Sequence, residues 1–159
     1  SPELVRPLGL ALPVEPVRGQ ILSLEAPPGC GPMLVDEHLY LVPKRDGRLV
    51  VGATEERVGF DDRVTAEGVA ALLRDAFALA PSLADRAFLE AWSGLRPATP
   101  DGLPIIGPAP GLPGLLLACG HYRNGVMLSP VTGELVADLV HGRPLPDDAA
   151  AFDPARFSG

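Results

Sequence analysis

The sequence predicts an α+β fold: an antiparallel sheet carrying one packed helix, with a strand–helix unit appended near the C-terminus. Three observations predict it. Glycine and proline number 18 and 19 among 159 residues, which demands many turns and short elements and argues against a helical bundle. Strand-like runs bounded by turn residues fill most of 17–54 and 87–119. Only the windows 65–80 and 126–141 carry apolar residues at helical spacing. With 47% hydrophobic and 21% charged residues, the chain is globular and long enough to bury a real core.

Each element has its own warrant. Residues 1–16 are proline-rich and aperiodic, and read as a linker or displaced edge segment. Val17 to Glu25 forms a strand, and APPGCGP (26–32) a loop. Glu37 to Pro43 alternates, placing His38, Tyr40 and Val42 on one face and Leu39 and Leu41 on the other. Arg48 to Thr54 pairs with it, because Asp46-Gly47 between them is a strong hairpin signal. Glu55 to Val64 is a charged loop whose acidic pairs, interleaved with Arg57 and Arg63, read as a solvated surface. Thr65 caps a helix to about Ala80 with an apolar stripe of Val69, Leu72, Leu73, Ala76, Phe77 and Ala80; Pro81 ends it. Ala87 to Leu95 is a strand, and Arg96 before Pro97 is held extended at its end. TPDGLP (99–104) turns, Ile105-Ile106 is a short strand, and Leu115 to Cys119 a buried one. GHYRNG (120–125) leads to a helix over 126–141. Its cap is read at Ser129-Pro130, its buried face as Val131, Leu135, Val136, Leu139 and Val140, and its stop as Gly142 and Pro144. The tail beyond Leu145 is polar and reads as loose.

Composition excludes several function classes. A net charge of −7 without a basic stripe argues against nucleic acid as a partner. The longest apolar run, Leu115 to Cys119, is too short to span a bilayer, so no membrane partner is expected. Cys30 and Cys119 make neither a zinc pattern nor a disulfide framework, which suits a reducing cytoplasm. Lys44 is the single lysine, leaving little scope for Schiff-base or P-loop chemistry. The three histidines show no metal spacing, and Cys119 reads as inert core.

Three places could carry chemistry. The strand, Gly-rich turn and helix of LLLACGHYRNGVMLSPVTGELV place free backbone amides and a partial positive charge where an anion or a flat ligand could approach. A purely structural tight turn is the equal alternative. Arg96 at a strand end suits bidentate binding of a carboxylate or phosphate. On the residues alone, a surface arginine covering apolar area with its stem is the favoured reading. Tyr40, on a face shared with His38, can hydrogen-bond a carboxylate or simply pack.

The runs YLVPKRDGRLVVGATEERVGFD (40–61), WSGLRPATPDGLPIIGP (92–108) and GHYRNGVMLSPVTGELVADLV (120–140) together resemble the C-terminal half of glycine oxidase. That thiamine-biosynthesis flavoenzyme lies within the D-amino-acid oxidase group of FAD-dependent oxidoreductases. The likeness covers roughly Val17 to Gly142. It implies that Arg96 grips the substrate carboxylate, that Tyr40 hydrogen-bonds it, that His38 lies nearby, and that Arg123 sits close to substrate and flavin. It also implies that the backbone of Gly120, His121, Tyr122, Arg123, Asn124, Gly125, Val126 and Met127 cradles the flavin. The reaction so implied is hydride transfer from a small amino acid, glycine, sarcosine or similar, to FAD, giving an imine and hydrogen peroxide.

The resemblance divides the chain into a segment 1–16, a substrate-binding domain portion 17–107, the last strand and helix of an FAD-binding domain at 108–145, and a tail 146–159. The strand–GxGxxG–helix that holds the FAD pyrophosphate in this group is not in the sequence. The expectation is therefore a fragment that works with a missing N-terminal FAD-binding half, is inactive alone, does not hold FAD tightly, and self-associates into homo-oligomers through uncovered apolar surface at 115–117 and 126–140. Two alternatives stand beside it: a stand-alone module binding small carboxylates, and a subunit completing a flavin site with a separate nucleotide-binding chain.

Overall fold

The fold is described from a computed structural model, which covers residues 2–37 and 39–157. The elements run α1 (Pro2–Val5), β1 (Glu15–Glu25), β2 (Leu34–Val35), β3 (Tyr40–Pro43), β4 (Arg48–Gly52), α2 (Ala66–Leu79), β5 (Phe88–Ala98), β6 (Ile105–Pro108), β7 (Leu116–Cys119) and α3 (Gly125–Val140), joined by short 3-10 turns. This is the α+β architecture the sequence predicts, with its antiparallel sheet and one helix packed on it. The chain forms two compact units: Val17–Leu95, and the residues up to Pro16 together with those from Arg96 onward.

In the first unit the strand order is β2-β3-β4-β1-β5. β3 and β4 form the expected hairpin, with Pro43 opposite Leu49 and Tyr40 opposite Gly52. Gly47, at φ +87°, takes the left-handed position that the turn requires. β1 continues the register, placing Ile21 opposite Gly52 and Leu24 opposite Leu49. The inner face carries Leu22, Leu24, Leu39, Leu41, Leu49 and Val51 against Leu72 and Ala76 of α2 and Leu83 beyond it. Thr65 caps α2, its hydroxyl accepting from the Gly68 amide at 3.1 Å. The expected strand over Glu37 to Pro43 is shorter and preceded by β2, because the chain turns between them with Asp36 N–H donating to Leu39 O. His38 lies outside the described residues.

The loop after β4 is only in part the solvated surface expected of its charges: Glu55, Arg57, Asp62 and Arg63 are exposed, but Glu56 and Asp61 turn inward. Arg18 and Gln20 of β1 are 4% and 1% exposed, and both need partners. Glu56 accepts from Arg18 Nη2 at 2.5 Å and from Gln20 Nε2 at 2.7 Å. Asp61 pairs with Arg18 at 3.2 Å. Gln20 Oε1 accepts the Thr65 amide at 2.7 Å, which ties the start of α2 into the same network. Glu56 and Asp61 read as solvated in the sequence because the cation they serve lies 38 and 43 residues earlier.

In the second unit β6 and β7 pair antiparallel, with Ile105 opposite Cys119 and Pro108 opposite Leu116. The expected division between 107 and 108 would cut this hairpin. One core cluster holds Val5, Ile105, Ala109 and Leu117, with Leu10, Leu12 and Val14 against it, so residues 2–14 pack within this unit. Another holds Ile106, Leu135 and Ala149 with Phe152. The tail is thus docked: Ala149, Phe152 and Phe157 are apolar anchors hidden in a polar run. Arg156 fastens it, bonding Asp101 at 2.7 Å and the Leu103 and Pro104 carbonyls at 3.0 and 3.2 Å.

α3 starts at Gly125, so Ser129 and Pro130 are interior and do not form its cap. Proline lacks the amide that would reach the Val126 carbonyl, and the Ser129 hydroxyl donates to that carbonyl at 2.8 Å instead. Leu135 is buried with Val136 and Leu139 beside it, whereas Val131 and Val140 face outward, against expectation.

Two outcomes test this packing. Leu72→Ala should lose about 2–5 kcal/mol in a denaturant titration, because it opens a cavity between α2 and the sheet. Hydrogen bonding from Arg156 draws the Asp101 carboxyl down to about 2. Its pKa is depressed on folding, so its contribution is present above the ordinary value of 3.8 and fades as pH falls toward about 2. Arg156→Ala should therefore flatten the acid limb of stability between about pH 4 and 2, read by thermal melts across that window.

Candidate functional site

Arg96 stands near the end of β5 in the second unit, followed by Pro97. The Pro97 carbonyl accepts the Tyr122 amide at 2.9 Å. This bond joins the strand end that carries Arg96 to the turn that carries Arg123. Gly120 makes the junction possible: it sits at φ +77°, and a Cβ there would lie 2.6 Å from Thr99 Cγ2. Asn124 N–H donates to His121 O at 2.9 Å and closes the turn. Tyr122, at φ +50°, is the one non-glycine residue with positive φ among the described residues. Such backbone costs free energy and clusters at functional sites.

The turn delivers the chain into α3. Asn124 makes no side-chain cap bond, and the first turn carries no acidic residue. The amides of that turn and the positive end of the helix dipole are therefore available to an anion or a carbonyl oxygen. Val126 and Met127, 93% and 72% exposed, flank this end with apolar surface. Arg123 is exposed beside it. A flat ring with a polar edge fits that combination: amides for the carbonyl edge and apolar side chains alongside.

His121 has a different part. Its Nε2 lies 2.9 Å from Thr132 Oγ1, so the ring fastens the turn onto α3. Burial lowers its pKa below the ordinary imidazole value. Nothing in the local sequence signals this pair, because His121 and Thr132 are eleven residues apart. Cys119, at the end of β7, has its thiol pushed up by burial, in keeping with an inert role.

Tyr40 belongs to the first unit. It lies half-buried on the sheet face opposite α2, in a row with Gly52 and Ile21. His38 lies outside the described residues. Among the described residues, no group of three or more His, Cys, Asp or Glu side chains could hold a metal, and no helix is long and apolar enough to cross a membrane.

A strand end that carries an arginine, joined through its proline carbonyl to a glycine-rich turn that opens a helix without a side-chain cap, defines the class: an α+β portion with a strand end and a helix N-terminus held together in one unit. Comparison with known proteins makes this specific. Residues 1–139 match the family described as FAD dependent oxidoreductase, and the chain belongs to that family. It is similar to a glycine oxidase of Pseudomonas aeruginosa, with 45% identity over 98% of this chain and 43% of the relative. It is similar to a bifunctional ThiO/ThiG protein of Synechocystis, with 44% identity over 93% of this chain and 23% of the relative. The crystal structure of glycine oxidase from Geobacillus kaustophilus superposes with a TM-score of 0.87 at 43% identity, covering 98% of this chain and 43% of that one. The chain therefore spans less than half the length of the curated relatives it matches.

The His121–Thr132 contact predicts a titration. The His121 ring should titrate below 6.5, the ordinary value, when followed by proton NMR, and Thr132→Val should broaden the signals of the 120–125 turn. Because the folded pKa is lowered, the turn loses stability as pH falls below that ordinary value.

Proposed function

We propose that this chain is the substrate-gripping and flavin-bordering portion of a cytoplasmic FAD-dependent amino acid oxidase. Its substrate is glycine or a similarly small amino acid such as sarcosine, and its product imine serves thiamine biosynthesis. The observation that carries the reading is the hydrogen bond between Tyr122 and Pro97, which couples the Arg96 strand end to the turn before α3. Arg96 binds the substrate carboxylate through its planar fork. Tyr40 donates its phenol hydrogen to that carboxylate. Arg123 and the amides of the first turn of α3 face the electron-accepting side. When bound, FAD supplies the two-electron acceptor that takes the hydride from the substrate Cα and returns the electron pair to oxygen as hydrogen peroxide. What these residues contribute is alignment, which is why no general base or nucleophile is required of them.

The outward face of α3 supports a covering partner. Val126, Met127, Val131 and Val140 are 93%, 72%, 45% and 66% exposed, and large apolar side chains grouped on one helix are a common mark of an interaction surface. Leu117, by contrast, is buried in the hairpin core, so the expected patch at 115–117 is largely covered. An FAD-binding half, in the same polypeptide or a separate chain, is the occupant this reading requires.

Two measurements test it. In the full-length protein, Arg96→Ala should lower kcat/KM for glycine by about 10- to 200-fold, the cost of a hydrogen bond to a charged group. An unchanged kcat/KM sinks the carboxylate role. The 159-residue chain alone should lose its yellow colour on desalting. A retained flavin absorbance would show that it holds the cofactor without a partner.

A further inference from the structure

We propose that Gly52 is a positioning residue that sets where the Tyr40 phenol sits; the proposal rests on the reading of Tyr40 as the carboxylate's hydrogen-bond donor. Tyr40 and Gly52 are directly opposed across the β3–β4 ladder. A Cβ built on Gly52 would lie 2.5 Å from Tyr40 Cζ and 2.7 Å from Cε2, and closer still to the phenol oxygen. The ring is therefore folded across the strand into the volume that any other residue's side chain would fill. Gly52 itself is buried. No positive φ is needed there, so alanine is compatible with the backbone and the collision falls on the ring tip, the mobile partner.

The strand beneath the ring is fixed from the other side. Immediately after Gly52, the Thr54 amide donates to Gln20 O at 3.1 Å, and Thr54 Oγ1 accepts the Gln20 amide at 2.8 Å. The same hydroxyl donates to Glu56 Oε1 at 2.5 Å, and Glu56 is held in turn by the buried Arg18. β4 is thus pinned two and four residues past the glycine, and cannot slide to relieve a larger side chain. This polar network fixes the floor on which the phenol rests.

A cross-strand aromatic over glycine is also a common packing device, so the test must read the phenol and not only stability. Full-length protein labelled with fluorotyrosine is compared as wild type, Gly52→Ala, Tyr40→Phe and the double variant. The Tyr40 fluorine resonance is identified by its loss in Tyr40→Phe. The expected result is a displaced Tyr40 resonance in Gly52→Ala with the other tyrosine signals unmoved. KM for glycine should rise roughly 10- to 150-fold in Tyr40→Phe, the size of one hydrogen bond to a charged group, and by up to that amount in Gly52→Ala, with a smaller change in kcat. The double variant should show no further rise, because both changes remove the same contact. A Tyr40 resonance that stays in place in Gly52→Ala, or KM effects that multiply in full, overturns the proposal alone. An unchanged KM in Tyr40→Phe overturns the carboxylate reading and the proposal with it. Should Gly52→Ala fail to fold, Thr54→Val frees the exit of β4 and must broaden or shift the Tyr40 resonance; an unaltered signal is equally fatal.

Discussion

A guanidinium inside a protein must be answered by negative charge and hydrogen-bond acceptors, and Arg18 imposes that demand on the whole sheet unit. It sits on β1 at 4% exposure. Its answer is Glu56, whose backbone also bridges to Arg18 and whose carboxylate accepts from Arg18, Gln20 and Thr54. Burial alone would raise the Glu56 pKa, but those hydrogen bonds outweigh it and hold the group below the ordinary carboxylate range. Asp61 is drawn down as well, chiefly by hydrogen bonds from Arg63, and closes the other side of Arg18. With the loop after β4 thus anchored, Thr65 is delivered to the place where α2 begins, its amide on Gln20 and its hydroxyl on Gly68. One buried cation therefore sets a loop, a helix start and the exit of a strand.

In the second unit the junction at the 120–125 turn is defined by shape and backbone instead of charge. The junction of the Arg96 strand end with the 120–125 turn depends on a missing Cβ at Gly120 and an amide–carbonyl bond at Pro97. Such contacts have little screening and little rotamer freedom, so they define geometry more tightly than surface ion pairs do. Arg96 and Arg123 are carried on the two backbone segments that this bond joins, and a site that worked by alignment would need its backbone fixed in this way.

How far the sequence disclosed this depends on the range of each interaction. The α2 stripe was legible because Leu72, Ala76 and their neighbours repeat at the spacing of one helix. The β3–β4 hairpin was legible because Asp46-Gly47 is a local signal. Arg96 and the GHYRNG turn stood out through residue type and through family likeness. What stayed hidden is non-local. Glu56 looks solvated until its partner is known to be Arg18, and the tail looks loose until Phe152 and Phe157 are known to meet the cores behind β6. The start of α3 is legible to within one residue, at 126 against Gly125, but its cap is not Ser129-Pro130, for a local reason that propensity rules invert. Ser-Pro ordinarily opens a helix, but here the serine hydroxyl takes the carbonyl that proline leaves without a donor.

Register ties the sheet unit's folding to its chemistry. In a strand pair, a slip by one residue exchanges the two faces completely. In β3 and β4 that exchange would send Leu39, Leu41, Leu49 and Val51 into water, and would bring Tyr40 and Gly52 toward α2. The apolar face alone opposes such a slip by the burial of those side chains. The Arg18–Glu56 bridge opposes it independently, because displacing Glu56 by one position strands a buried cation. A sheet that needed only a core would be adequately specified by its leucines and valines. The additional polar pin, placed four residues past Gly52, specifies the outer face as well, and that is the face on which the row Ile21–Gly52–Tyr40 lies.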